Sequence, residues 1–125
     1  MPLIGETMAK NVMIIDDEPS VGEMMSALLE AEGFKARVAY DGQDGLEQMA
    51  REPADLLLLD YMLPGMDGIE VLCEVRQRWP SLPVILITAF GSPELRSRAG
   101  KFKVLDVVSK PFDTSKLLEQ IALAI

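Results

Sequence analysis

Leu56-Leu57-Leu58-Leu59-Asp60, with the loop Tyr61-Met62-Leu63-Pro64-Gly65-Met66-Asp67-Gly68 behind it, is the stretch from which the rest of the chain can be read. Four leucines between Pro53 and Pro64 are too few for a helix. A short apolar run closed off by turn residues reads instead as a strand buried on both faces. Such a strand belongs in a parallel sheet covered by helices, because the crossovers between parallel strands put helices on both sides. It also ends in a carboxylate, Asp60, at the mouth of a proline-glycine loop. Open sheets of this kind place ligands beyond the carboxyl ends of their strands.

The same alternation extends in both directions. Upstream, Val12-Met13-Ile14-Ile15 is a strand ending at Asp16-Asp17-Glu18, and Pro19 sits where a first helical turn tolerates it. Val21, Met24, Met25, Leu28 and Leu29 follow at the spacing of one buried helix face, and Gly33 is suited to a left-handed stop. Residues 35–40 form a second strand, and Asp41 or Gly42 opens a helix carrying Leu46, Met49 and Ala50, closed by Pro53. Downstream, a helix over 68–79 presents Ile69, Leu72, Cys73 and Arg76 along one side, and Pro80 and Pro83 bracket a turn. Val84-Ile85-Leu86-Ile87 is the fourth strand, 93–102 a weak helix, 104–108 the fifth strand and 114–124 the fifth helix. Five strand-helix units predict an α/β fold, a doubly wound five-stranded parallel sheet in one domain over residues 10–125. Residues 1–9 show no periodicity and contain Met8, so they are expected to be a leader outside the fold.

Composition removes several classes of chemistry. At 125 residues the chain is near the roughly 150 expected of one domain, and it has one cysteine and no histidine. That excludes a disulfide framework, a Cys/His zinc site and a histidine triad. Twelve Lys and Arg against 20 Asp and Glu give a net charge of −8, a field that repels nucleic acid and anionic membranes. No apolar stretch approaches the roughly 20 residues that span a bilayer. A cytoplasmic protein is expected.

Chemistry must therefore rest on the residues just past each strand: Asp16, Asp17 and Glu18 after the first, Asp60 after the third, Thr88 after the fourth, Lys110-Pro111 after the fifth. Each has an ordinary alternative. Asp16 and Asp17 could cap a helix, Asp60 could shape a turn, Thr88 is a good strand residue and Lys110 a common surface charge. Their convergence on one sheet edge is what favours a site. Two like charges about 4 Å apart repel by about 4 kcal/mol at an effective dielectric near 20, so the carboxylates need a cation or must partly protonate. An oxygen-only donor set points to Mg²⁺, which keeps several waters and leaves room for a phosphate oxygen.

With these residues in place the chain resembles a response-regulator receiver domain of two-component signalling. The resemblance is carried by Asp16-Asp17-Glu18, the loop from Asp60 through Leu63-Pro64 and Met66-Asp67-Gly68, Thr88-Ala89 and Lys110-Pro111-Phe112. It implies the flavodoxin-like strand order 2-1-3-4-5, for which a member of this family is itself a standard example. It also implies that Asp60 is the phospho-acceptor, that Asp17, Asp60 and the backbone carbonyl of Met62 hold Mg²⁺, and that Asp16 holds a metal-bound water. Thr88 and Lys110 would each contact a phosphoryl oxygen, and Lys110-Pro111 would be cis. The implied donor is a sensor histidine kinase or phosphotransfer protein. The implied activity is self-catalysed phosphorylation with slow dephosphorylation, in a monomer or weak dimer that is either a single-domain regulator or the receiver of a longer chain with an output domain beyond Ile125.

One position departs from the family pattern. Three residues before Lys110, where the family usually has Tyr or Phe, stands Val107, and Lys103-Val104 replaces a customary Gly-Ala pair. A β-branched side chain has neither the reach nor the ring to report a movement of Thr88. Two rivals fit less well. A phosphohydrolase resembling the haloacid-dehalogenase group would space its two acids two apart, whereas Asp16 and Asp17 are adjacent. A flavin-binding module needs a hydroxyl-rich phosphate loop, and Asp16, Asp17 and Glu18 would repel the phosphate.

Overall fold

The computed structural model describes residues 9–125. The expected leader lies, except for Ala9, outside the described residues. Ten elements alternate along the chain: β1 (Asn11–Ile15), α1 (Pro19–Ala31), β2 (Lys35–Ala39), α2 (Gly42–Arg51), β3 (Leu56–Asp60), α3 (Gly68–Arg78), β4 (Val84–Thr88), α4 (Pro93–Gly100), β5 (Asp106–Ser109) and α5 (Thr114–Ala124). The five strands are parallel and ordered β2-β1-β3-β4-β5, the doubly wound arrangement. Among the described residues no helix is long and apolar enough to cross a membrane.

Alternating residues of each central strand serve opposite cores, which is why β1, β3 and β4 read as continuous apolar runs. Val12, Ile14, Leu56, Leu58, Ile85 and Ile87 pack with Met25 and Leu29 of α1 and Leu117 and Ile121 of α5. Met13, Ile15, Leu57, Leu59, Val84 and Leu86 face the other way, onto α2, α3 and α4. At about 25 cal/mol per Å² of apolar area, fully burying each such side chain stabilises the fold by about 1.5–3 kcal/mol before chain entropy is counted. Because a strand's side chains alternate, a one-residue slip would exchange the two cores, so the register is fixed by both faces.

Gly33 ends α1 as expected. Its φ of +92° lets its N–H reach Glu30 O and the Phe34 N–H reach Leu29 O, both at 3.0 Å, so two orphan carbonyls are satisfied. Asp41 caps α2 by accepting the Asp44 N–H at 2.7 Å.

Other expectations shift. Met24 is 42% exposed and Ala50 is exposed, so the buried faces of α1 and α2 are narrower than their spacing indicates. On α3, Val71, Leu72 and Val75 form the buried face and Cys73 is exposed. The capping box of Asp67 and Glu70 closes the first turn of this helix. The fourth helix stops at Gly100 instead of residue 102, and the fifth strand runs from Asp106 to Ser109 instead of 104–108. Lys103, at φ +57°, breaks the extended run before β5 can pair.

Candidate functional site

The sheet register delivers the expected residues to one edge. Ile15 is level with Leu59, so Asp16 and Asp60 emerge side by side at the ends of β1 and β3. Thr88 pairs with Ser109, which puts Lys110 one step beyond it on the neighbouring strand. Backbone hydrogen bonds lock these ends together: Asp16 N–H donates to Ala39 O at 3.1 Å, Tyr61 N–H to Ile87 O at 2.8 Å and Lys110 N–H to Thr88 O at 2.7 Å. The Lys110–Pro111 peptide is cis.

Lys110 is the centre of the cluster. Its Nζ lies 3.3 Å from Asp16 Oδ2, 3.3 Å from Asp60 Oδ2 and 3.7 Å from Glu18 Oε1. Asp16 is 2% exposed and Asp60 4%, so these are charges removed from water. Their remaining oxygens have partners too: Asp16 Oδ1 accepts the Glu18 N–H at 3.0 Å, and Asp60 Oδ1 the Met62 N–H at 3.3 Å. The helix-cap alternative for Asp16 and Asp17 is not met. Glu18 is the N-cap of α1, and no side chain caps that end.

The electrostatics arise from this crowding. Burial pushes the Asp60 carboxyl up from 3.8 to about 6, the charge of Asp16 adds to it, and Lys110 and the Met62 N–H pull the other way. Desolvation pulls Lys110 down, but Asp60 and Asp16 outweigh it and hold the ammonium above its ordinary range. At neutral pH Asp60 is therefore ionised beside one ammonium, and with Asp16, Asp17 and Glu18 at the same edge the acidic groups are in excess.

A cation fits that excess. One carboxylate oxygen from each of Asp16, Asp17 and Glu18 lies within 4.8 Å of the others, a hard oxygen donor set with no nitrogen or sulfur. Asp17 is exposed beside buried Asp16, so this group opens to solvent. On the β3 side, Asp60 is tied to this edge through Lys110, which bonds both it and Asp16, while the Met62 side chain is 57% exposed. Thr88 is fully buried, and its Oγ1 accepts the Phe90 N–H at 3.1 Å. Glu18 belongs to the cluster by position although a strand-end reading gave it no separate role; the unbroken acidic triplet was its signal.

Beside the site, Glu18, Val21, Met24, Lys110, Pro111, Phe112 and Thr114 line an open groove of about 460 Å³. On the other side, the loop 60–68 closes on Gly68, whose N–H donates to Tyr61 O at 2.8 Å. A Cβ on Gly68 would stand 2.7 Å from Tyr61 Cα and 3.2 Å from Asp60 O, both backbone atoms that cannot swing away. Gly68→Ala is expected to destabilise the protein by about 2 kcal/mol, as overpacking does, read as a lower urea midpoint at unchanged slope. An unchanged midpoint would show that the loop yields freely.

Known proteins share this fold. The chain resembles the CheY-like response regulator receiver domain protein of Methanospirillum hungatei at 28% identity and a TM-score of 0.88, covering 92% of each chain. It resembles the chemotaxis protein CheY4 of Vibrio cholerae at 25% identity and a TM-score of 0.88, over 94% of this chain and 99% of that one. NtrX of Brucella abortus, a longer protein, matches at 29% identity and a TM-score of 0.85, over 94% of this chain and 27% of its own. The sequence profile of the response regulator receiver domain matches residues 12–122, nearly the whole described chain, and with the strand order and the acid-lysine edge this makes the chain a member of that family, the receiver domain of a two-component response regulator.

Proposed function

We propose that Asp60 accepts a phosphoryl group from the phosphohistidine of a sensor histidine kinase or phosphotransfer protein and that the phosphorylated form changes its partner or output-domain contacts. The observation that carries this reading is Lys110 Nζ at 3.3 Å from both Asp16 and Asp60, two almost fully buried carboxylates. Asp60 is ionised above about pH 6 and can act as nucleophile. An Asp60 oxygen forms a bond to phosphorus as the bond from phosphorus to the imidazole nitrogen breaks, and the electron pair leaves with the imidazole.

Such transfers need positioning and charge neutralisation more than covalent help. Lys110 neutralises one phosphoryl oxygen. Thr88 Oγ1 accepts the Phe90 N–H, and when the side chain turns from that partner its hydroxyl donates to another phosphoryl oxygen. Asp17, Asp60 and the Met62 carbonyl would hold Mg²⁺ directly and Asp16 through a water; when bound, the ion offsets the charge of the incoming phosphoryl group. The groove beside Lys110 is open, partly apolar and next to the nucleophile, which suits an approaching donor helix. The domain catalyses its own phosphorylation and slow dephosphorylation, acts in the cytoplasm as a monomer or weak dimer and makes no direct contact with nucleic acid.

The test uses beryllofluoride, a phosphoryl mimic. Fluorine NMR of the wild type with Mg²⁺ should show one bound trifluoroberyllate species, absent without Mg²⁺ and absent in Asp60→Asn. A bound species that persists in Asp60→Asn would reject the assignment. A second expectation concerns Mg²⁺ alone. At about 100 times its dissociation constant, an ion that binds only the folded state stabilises by about 2.7 kcal/mol. For a domain of this size that is a rise of about 10 °C in melting temperature. Asp17→Asn should lose most of the rise; an equal rise in that variant would place the ion elsewhere.

A further inference from the structure

Helix α4 is held by little apolar contact, since only Leu95 and Ala99 of its eight residues are buried. It is clipped instead at its two ends. At the site end, Ser92 Oγ accepts the Leu95 N–H at 3.1 Å, and the loop before it leads to Thr88 through the Phe90 N–H. At the far end the chain turns through Lys103, whose φ of +57° lies in the left-handed region. A lysine persists there only when its surroundings fix it. The fixing group comes from α3, 26 and 27 residues away in sequence: Arg76 Nε donates to Phe102 O and Arg76 Nη2 to Lys103 O at 3.4 Å. The same guanidinium donates through Nη1 to Leu82 O at 2.7 Å and Trp79 O at 3.3 Å. One planar fork thus joins the end of α3, the entry to β4 and the turn between α4 and β5.

We infer that Arg76 is a fixed pivot for α4, so that a change at Thr88 swings the site end of the helix while its far end stays in place. The inference rests on the phospho-acceptor reading for what drives the motion. When Thr88 turns its hydroxyl to a phosphoryl oxygen, the loop 89–92 must re-form around the Phe90 N–H, and the first turn of α4 goes with it. The last turn cannot follow while Arg76 holds the carbonyls of Phe102 and Lys103. Motion enters α4 at one end and stops at the other, without an aromatic ring at Val107.

Residue-resolved amide exchange tests the pivot in two arms. In the metal-free protein, Phe102 and Leu105 donate their N–H to Ala99 O and Val84 O. Arg76→Lys keeps the charge and loses the fork; it should speed exchange at these two amides about 10-fold or more while Ile85 and Leu86 change less than about 2-fold, the mark of local opening. Adding Lys103→Gly to Arg76→Lys should restore protection, because glycine takes a positive φ freely. Uniform acceleration across the protein, or no acceleration at Phe102 and Leu105, overturns the pivot. In the second arm, Mg²⁺ with beryllofluoride should change protection over 89–98 and leave 101–105 unchanged in wild type, and the change should spread to 101–105 in Arg76→Lys. Equal change over both segments in wild type also overturns the pivot. A wild type in which no amide responds would contradict the phospho-acceptor reading instead, while the metal-free arm still decides whether Arg76 holds the turn.

Discussion

Lys110→Ala is expected to lower the stability of the metal-free protein by about 3 kcal/mol, the low end of what breaking a buried ion pair costs. The low end applies because the Lys110 side chain is 19% exposed and water can partly replace it. The loss arises from the charges left behind: Asp16 and Asp60, 2% and 4% exposed, would face each other with no ammonium between them. The same variant should take up a phosphoryl group at least about 100-fold more slowly, since a preorganised charge at the reacting centre contributes on that scale. Mg²⁺ should recover much of the stability, because it offsets the same carboxylates, and little of the rate. Urea unfolding with and without Mg²⁺, together with uptake kinetics, separates the two. A variant as stable as wild type in chelator would show that the lysine is not the neutralising charge.

Asp60→Asn is expected to act in the opposite direction and raise metal-free stability at pH 7.5. The carboxyl is raised from 3.8 to about 6 in the folded state, so between about pH 4 and pH 6 the folded protein holds a proton that the unfolded chain has already released, and above that it bears the cost of a buried charge. Stability therefore falls as pH rises from about 4 to about 6 and stays reduced above that, the reverse of a salt-bridged acid whose pKa is depressed. A shift of about two units corresponds to about 3 kcal/mol, and asparagine should recover about 2 kcal/mol of it while keeping an oxygen for Lys110. The gain of the variant over wild type should be near zero at pH 4 and level off above pH 6.5. Lys110, held above its ordinary range, stays protonated throughout this window and adds no slope. A gain independent of pH would mean that the burial of charged Asp60 is not its origin.

The strands were legible because three of them are apolar runs bounded by acids or prolines, and burial on both faces leaves such runs no polar alternative. Asp16, Asp17, Asp60, Thr88 and Lys110 were legible for the same reason: each lies at or just past the end of a strand, and parallel strands end at one edge. Helix faces were less so. Met24 continues the apolar stripe of α1 yet is 42% exposed, and Cys73 faces solvent while Val75 is buried, because spacing alone leaves the helix rotation uncertain by one residue. The start of β5 was misread because Val104 and Leu105 are apolar, although Lys103 turns the chain just before them. Arg76 looked like one more position on a helix face. Its role depends on carbonyls of Phe102 and Lys103, and no local pattern connects residues so far apart in sequence.

The central claim, that Asp60 is the residue phosphorylated, is tested most directly by intact-mass analysis after incubation with acetyl phosphate. The account predicts one added phosphoryl group in wild type with Mg²⁺, none in the presence of chelator and none in Asp60→Asn. An adduct that forms in Asp60→Asn, or that forms in wild type without Mg²⁺ at a residue other than Asp60, would contradict it.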